Sequence, residues 1–206
     1  MQKFIRKLDG DDSNDKQQVI SFSMEGMGGN QGPVGNKIYL YDDISRHSVL
    51  NISKQIDEVT KQLRMLQMLY TMLAPPVIEL HISSDGGELT PALALVDKII
   101  SNPIPIHTYS EGMNASAGTL ISVVGEHRFI TKNSLLLLHQ LSGNCWGPYD
   151  AINDEKKNLD LFMNMIKKIY LKHTKFKSKQ LDELLKHDLC LPSDQALEFG
   201  IVDEII

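Results

Sequence analysis

The sequence predicts a layered α/β domain assembled from repeated βαβ units. Two observations predict it. From Lys37 onward, short apolar runs of strand character alternate with stretches whose apolar residues recur at helical spacing. Glycine, proline and small-residue turns punctuate that alternation.

The elements follow in order. Lys37-Ile38-Tyr39-Leu40-Tyr41 has strand composition. Ser45 then precedes a helix expected over 46–73, with Val49, Ile52, Ile56, Val59, Leu63, Leu66 and Leu69 in register, stopped by Pro75-Pro76. Val77 to Ile82 is a second strand, ended by the turn Ser83-Ser84-Asp85-Gly86-Gly87. A helix over 89–101 and a strand over 104–109 come next, then a turn ending near Ser116 and a small-residue helix over 116–124. Strands are expected near 127–131 and 134–138, helices over 148–173 and 178–187, and a last short helix capped by Gly200 before a terminal strand.

Composition narrows the function classes. At 206 residues the chain is nearer one domain than two. With 42% hydrophobic and 23% charged residues, it is neither a disordered chain nor a fibrous or disulfide-dense one. A net charge of −5 gives no general attraction to nucleic acid or anionic lipid, so neither is an expected partner. Cys145 and Cys190 are far apart and form no CxxC, which suggests a reducing compartment and no structural zinc. No signal-like segment opens the chain and no apolar run approaches the ~20 residues of a membrane span, so a cytoplasmic protein is expected. Residues 1–36 are polar and glycine-rich without periodicity, and are expected to form a flexible segment ahead of a domain over 37–206. The glycine run there has no GKS/T ending and no preceding strand, so it does not read as a phosphate loop.

Three places carry residues suited to chemistry. Gly86 and Gly87 follow a strand's C-terminal end, the edge where open α/β sheets bind ligands. Glycines there admit close backbone approach and turn N–H groups toward an anion, although a tight turn alone also calls for them. Ser116 lies between a strand and a helix, where helix N-terminal amides can stabilise an oxyanion; an ordinary N-cap serine occupies the same place. Its neighbours Ala115, Ala117 and Gly118 leave room for a substrate, and Gly112 stands too far before it for a GxSxG elbow. His139 ends the run Leu135–Leu138, as either a hydrogen-bonded core residue or a general base.

Taken together, Ile82-Ser83-Ser84-Asp85-Gly86-Gly87, Gly112-Met113-Asn114-Ala115-Ser116-Ala117-Gly118 and Asn133-Ser134-x4-His139-Gln140 resemble, in order and spacing, the proteolytic-subunit family of the caseinolytic (Clp) protease, peptidase family S14. The segment Asp188-x2-Leu191-x3-Gln195-Ala196-Leu197-Glu198-Phe199-Gly200-Ile201-Val202-Asp203 resembles the same family's C-terminal motif, and the likeness covers about 37–206. The resemblance implies a ClpP/crotonase-like superhelix of βαβ units with a protruding strand-helix handle over about 140–176. It implies a serine endopeptidase with Ser116 as nucleophile, His139 as base and Asp188 as orienting carboxylate. The backbone N–H groups of Gly87 and Ala117 would form the oxyanion hole. It also implies a homo-oligomer of stacked heptameric rings, an AAA+ unfoldase partner that consumes the ATP, unfolded polypeptides as substrates and no cofactor in this chain.

The departures bear on activity. Asp85 stands where the family carries proline, and a carboxylate facing the oxyanion hole would repel the developing charge, whereas one facing solvent would be screened. Leu141 follows His139-Gln140 where proline is usual, and Cys190 replaces a bulky apolar residue. Two other readings use the same residues: a ClpP-like subunit of structural or regulatory role, and a crotonase-type acyl-CoA-binding protein. Apolar residues Leu159, Phe162, Met163, Ile166, Ile169 and Tyr170 form a helical stripe that packs either within the subunit or, by the resemblance, between rings.

Overall fold

The computed structural model describes residues 35–69 and 76–206. The expected flexible segment lies outside the described residues except for Gly35 and Asn36, as do residues 70–73 of the expected first helix. Alternation sets the first strand, β1 (Lys37–Leu40): Ile38 and Leu40 are buried and Tyr39 between them is exposed. Helix α1 (Arg46–Leu69) opens on a reciprocal Ser45–Ser48 pair, in which each backbone N–H donates to the other hydroxyl. Its buried residues Val49, Ile52, Ile56 and Val59 keep the helical period read from the sequence. Strand β2 (Ile78–Ser84), helix α2 (Leu89–Ser101) and strand β3 (Ile106–Ala115) complete two βαβ units.

Beyond β3 come helix α3 (Ala117–Ser122), strands β4 (Arg128–Ile130) and β5 (Leu135–Leu137), and helices α4 (Tyr149–His173) and α5 (Ser178–Leu184). Strand β6 (Cys190–Pro192), helix α6 (Ser193–Glu198) and strand β7 (Glu204–Ile205) close the chain. The strands join in the order β1-β2-β3-β4-β7, all parallel; β5 adds to β3 in parallel, and β6 pairs antiparallel with β5. One sheet face meets the helices through Ile38, Leu80, Ile82 and Ile130, packed with Ile52, Ile56, Leu95 and Ile121. Each such fully buried side chain contributes about 1.5–3 kcal/mol. The other face carries a stacked row, Tyr39–His81–Tyr109–Phe129, across β1 to β4.

Four expectations need correction. The strand expected to end at Tyr109 runs on to Ala115, because β3 changes partners midway: Thr108–Ser110 pair with β4 and Met113–Ala115 with β5. Gly112, at φ +61°, takes the bend between the two halves. Strand β6 escaped the sequence reading altogether, since a three-residue strand exists only through its partner. The helix expected to reach His187 stops at Leu184, which leaves Asp188 on the connection into β6. No strand forms between Leu138 and Gly147, so the handle's expected strand is absent from this chain taken singly. The long helix α4 is present, but it buries only Ile166 and Tyr170, near its C-terminal end. Among the described residues no helix is long and apolar enough to cross a membrane.

Candidate active site

Ser116 occupies the single residue between β3 and α3, and it is the one non-glycine with positive φ among the described residues, at φ 52° and ψ −121°. A conformation of that kind costs on the order of 1–3 kcal/mol and persists only where the surroundings impose it. They do so here from three sides. The Ser116 N–H donates to Leu137 O at 2.8 Å, and its carbonyl accepts from the Thr119 N–H at 3.0 Å and the Thr119 hydroxyl at 2.7 Å. Gly86 closes the third side: a Cβ there would lie 2.6 Å from Ser116 Cβ, and its φ of +105° is itself a glycine conformation.

Gly87 is fixed by Ile44, which lies on the connection between β1 and α1. The Ile44 N–H donates to Gly86 O and the Glu88 N–H donates to Ile44 O, both at 2.7 Å. A Cβ on Gly87 would fall 2.2 Å from Ile44 O. This clamp leaves the Gly87 N–H without a backbone partner, and Ala117, as the first residue of α3, has an N–H that the helix does not use. Gly87, Ser116, Ala117 and His139 line one pocket of about 80 Å³, together with Leu89, Leu120, Leu141 and Tyr170.

Asp188 reaches this place through strand register. Leu137 pairs with Cys190 in the antiparallel β5–β6 ladder, and two further steps along each strand set His139 opposite Asp188. His139 Nδ1 lies 3.0 Å from Asp188 Oδ1, and the Gln140 N–H donates to Leu185 O at 2.7 Å beside it. The Asp188 side chain is 77% exposed and that of His139 26%. All five residues named from the sequence thus gather at one place: four line the pocket and Asp188 backs His139. Among the described residues no hydrogen bond joins Ser116 to His139, so the pair is adjacent without being engaged. Asp85, next to Gly86, is exposed.

Sequence reasoning missed the groups behind the elbow. Asn114 is buried and donates to Ser110 Oγ at 3.0 Å, while its Oδ1 has no partner. A Cβ on Gly118 would meet that oxygen at 2.3 Å, so the glycine makes room for the buried amide. Tyr170 of α4, read only as part of an apolar stripe, shares a 2.7 Å hydrogen bond with Thr119 Oγ1. Burial pushes its phenol well above the usual tyrosine value, so it stays protonated. The Asn-x-Ser-x-Gly spacing was a visible signal for Asn114; nothing local marked Tyr170, 51 residues from its partner.

A parallel α/β layer in this strand order, with helices packed on one face, defines a ClpP/crotonase-like fold, and its sheet edge brings the strained Ser116 near the His139–Asp188 pair. A family model described as Clp protease matches residues 30–206, and the chain belongs to that family. Among solved structures it is similar to a mutant of ClpP1 from Listeria monocytogenes, with a TM-score of 0.71 at 23% identity over 84% of this chain and 91% of that one.

Proposed function

We propose that this chain is the proteolytic subunit of a Clp-type protease: a serine endopeptidase that hydrolyses peptide bonds of unfolded polypeptides inside a chamber built from its own copies and fed by an AAA+ unfoldase. The observation that carries the reading is the strained Ser116 at the mouth of a pocket shared with His139. In the reaction, Ser116 Oγ attacks the scissile carbonyl carbon while His139 Nε2 takes its proton. Asp188, on Nδ1, holds the imidazole in the tautomer that leaves Nε2 free and then stabilises the imidazolium. The carbonyl oxygen, now negative, is met by the N–H groups of Gly87 and Ala117. His139 returns the proton to the leaving amine, and water hydrolyses the acyl-enzyme by the same steps reversed in role.

The gap between Ser116 and His139 in the single chain suits an enzyme whose triad tightens when substrate binds or subunits assemble. The crotonase reading lacks a role for the His139–Asp188 pair and is set aside by the family to which the chain belongs. The test is a fluorophosphonate probe with peptide hydrolysis alongside. Wild-type protein should be labelled at Ser116 and cleave short peptides. Ser116→Ala should lose both, with hydrolysis falling at least about 10⁴-fold. Cleavage retained by Ser116→Ala would show that another group is the nucleophile.

A further inference from the structure

Two peptide groups supply the proposed oxyanion donors, and in both the carbonyl oxygen is itself hydrogen-bonded. The Gly87 N–H belongs to the peptide group whose oxygen, Gly86 O, accepts from the Ile44 N–H at 2.7 Å. The Ala117 N–H belongs to the one whose oxygen, Ser116 O, accepts twice: from the Thr119 N–H at 3.0 Å and from the Thr119 hydroxyl at 2.7 Å. Resonance ties the two ends of a peptide group together. Donors on its oxygen draw electron density from the nitrogen and leave the N–H more positive, as hydrogen bonds in a chain strengthen one another.

The hydroxyl donor on Ser116 O is itself backed by a further group. A threonine hydroxyl has one proton. That of Thr119 goes to Ser116 O, so the 2.7 Å contact between Thr119 Oγ1 and the Tyr170 hydroxyl is donated by the phenol. Burial keeps that phenol protonated. The direction is therefore fixed: Tyr170 O–H to Thr119 Oγ1, Thr119 O–H to Ser116 O, with the Ala117 N–H at the far end of the same peptide group. Thr119 and Tyr170 are 0% and 1% exposed, so bulk water competes at neither link. A threonine in a helix commonly bonds a carbonyl one turn back. Here that carbonyl is the strained Ser116's own, and the hydroxyl is held by a tyrosine 51 residues away.

We infer that Thr119 and Tyr170 are positioning residues that act in series on the Ser116–Ala117 peptide group, fixing its plane and strengthening the Ala117 N–H as a donor to the oxyanion. The inference rests on the proposed function, because that oxyanion forms only if Ser116 is the nucleophile. Removing a whole oxyanion donor costs about 10²–10³-fold in kcat. Weakening one that stays in place costs less, about tenfold. The charge that the N–H meets appears only in the transition state, so the loss falls on kcat and leaves KM in place.

Steady-state hydrolysis of a short fluorogenic peptide by the full chain tests this, with fluorophosphonate labelling alongside. Thr119→Val should lower kcat about tenfold and keep KM within about twofold of the wild type. Tyr170→Phe keeps the ring, removes one link of the series and should lower kcat about threefold to tenfold. In the Thr119→Val background, Tyr170→Phe should change kcat by less than about twofold, because its effect has no other route to the peptide group. A loss of stability alone would not give that pattern. Thr119→Ser, which keeps the hydroxyl, should keep most of the wild-type kcat. Thr119→Ala takes the place of Thr119→Val if the latter does not fold. A kcat within about twofold of the wild type in both single variants would overturn the inference. Losses that multiply in the double variant would overturn it too, as would a rise in KM at unchanged kcat. In each of those cases the wild type is labelled and active, and the assignment of Ser116 stands. A wild type that is neither labelled nor active would overturn that assignment and the inference with it.

Discussion

At Ser116 the local sequence and the surrounding fold cooperate. A residue held at φ 52° needs a neighbour without a side chain, and Gly86 supplies it, with no room for a Cβ against Ser116. The residue before that glycine is under no such constraint. Asp85 is exposed, so salt and water screen its charge from the proposed oxyanion hole. The sequence by itself leads to the expectation that Asp85 restrains turnover and that its replacement by asparagine or proline raises it; the exposure of Asp85 favours the silent outcome instead. Asp85→Asn should therefore change peptide turnover by less than about twofold, at low and at physiological salt alike. A rise of tenfold or more in steady-state assays would mean that the carboxylate acts on the site.

At the scale of elements, the open sheet face holds a titrating cluster spread over three strands. His81 of β2 lies between the rings of Tyr39 from β1 and Tyr109 from β3, at 4.9 and 4.6 Å. Glu111 Oε1 of β3 is 2.9 Å from its Nδ1, and Glu79 Oε2 of β2 is 3.5 Å from its Nε2. Lys37 of β1 pairs with Glu79 at 3.2 Å, and the Tyr41 hydroxyl meets Glu111. Burial, helped by the Lys37 charge, outweighs Glu79 and holds His81 below its ordinary value of 6.5, while burial raises Glu111. A histidine depressed in the folded state binds its proton more readily when unfolded. Its contribution is complete above pH 6.5 and is lost as the pH falls from 6.5 toward the folded value. Glu111 acts with the opposite sign: its contribution is complete below 4.5 and is lost as the pH rises through its raised value. In thermal unfolding, His81→Phe should make the melting temperature fall less steeply than in the wild type as the pH drops below 6.5. An equal or steeper fall would mean that His81 is not titrating there.

For the whole molecule, the informative surface is α4. This 25-residue helix buries only Ile166 and Tyr170, and before its midpoint Tyr149 and Ile152 are exposed, with Trp146 just ahead of it 98% exposed. A soluble chain rarely leaves aromatic residues so bare without a partner for them. Under the proposed function, the partner is the same helix of a facing ring. Native mass spectrometry should show a two-ring particle for the wild type, and a particle of half that mass after combined Trp146→Ser, Tyr149→Ser and Ile152→Ser substitution. An unchanged mass in the triple variant would place the ring contact elsewhere.

The order of elements from β1 to α3, the residues facing the core on α1, and the Gly86-Gly87 turn, Ser116 and His139 as places suited to chemistry were legible in the residues, whereas Asp188 and the roles of the Gly87 and Ala117 N–H groups came only from the family resemblance. Periodicity, turn chemistry and motif spacing are local properties that the chain carries before it folds. The bond of His139 to Asp188 depends on β6, three residues whose strand character comes wholly from the β5 edge, so no local signal announced it. The run of β3 to Ala115 depended likewise on two successive partners that no window of sequence contains. Tyr170 became a wall of the pocket because α4 packs its last turns against α3 and sets a phenol on Thr119. Side-chain type determined which groups were able to do chemistry; hydrogen-bond register and packing between distant segments decided which of them meet, because those energies exist only once the partners are side by side.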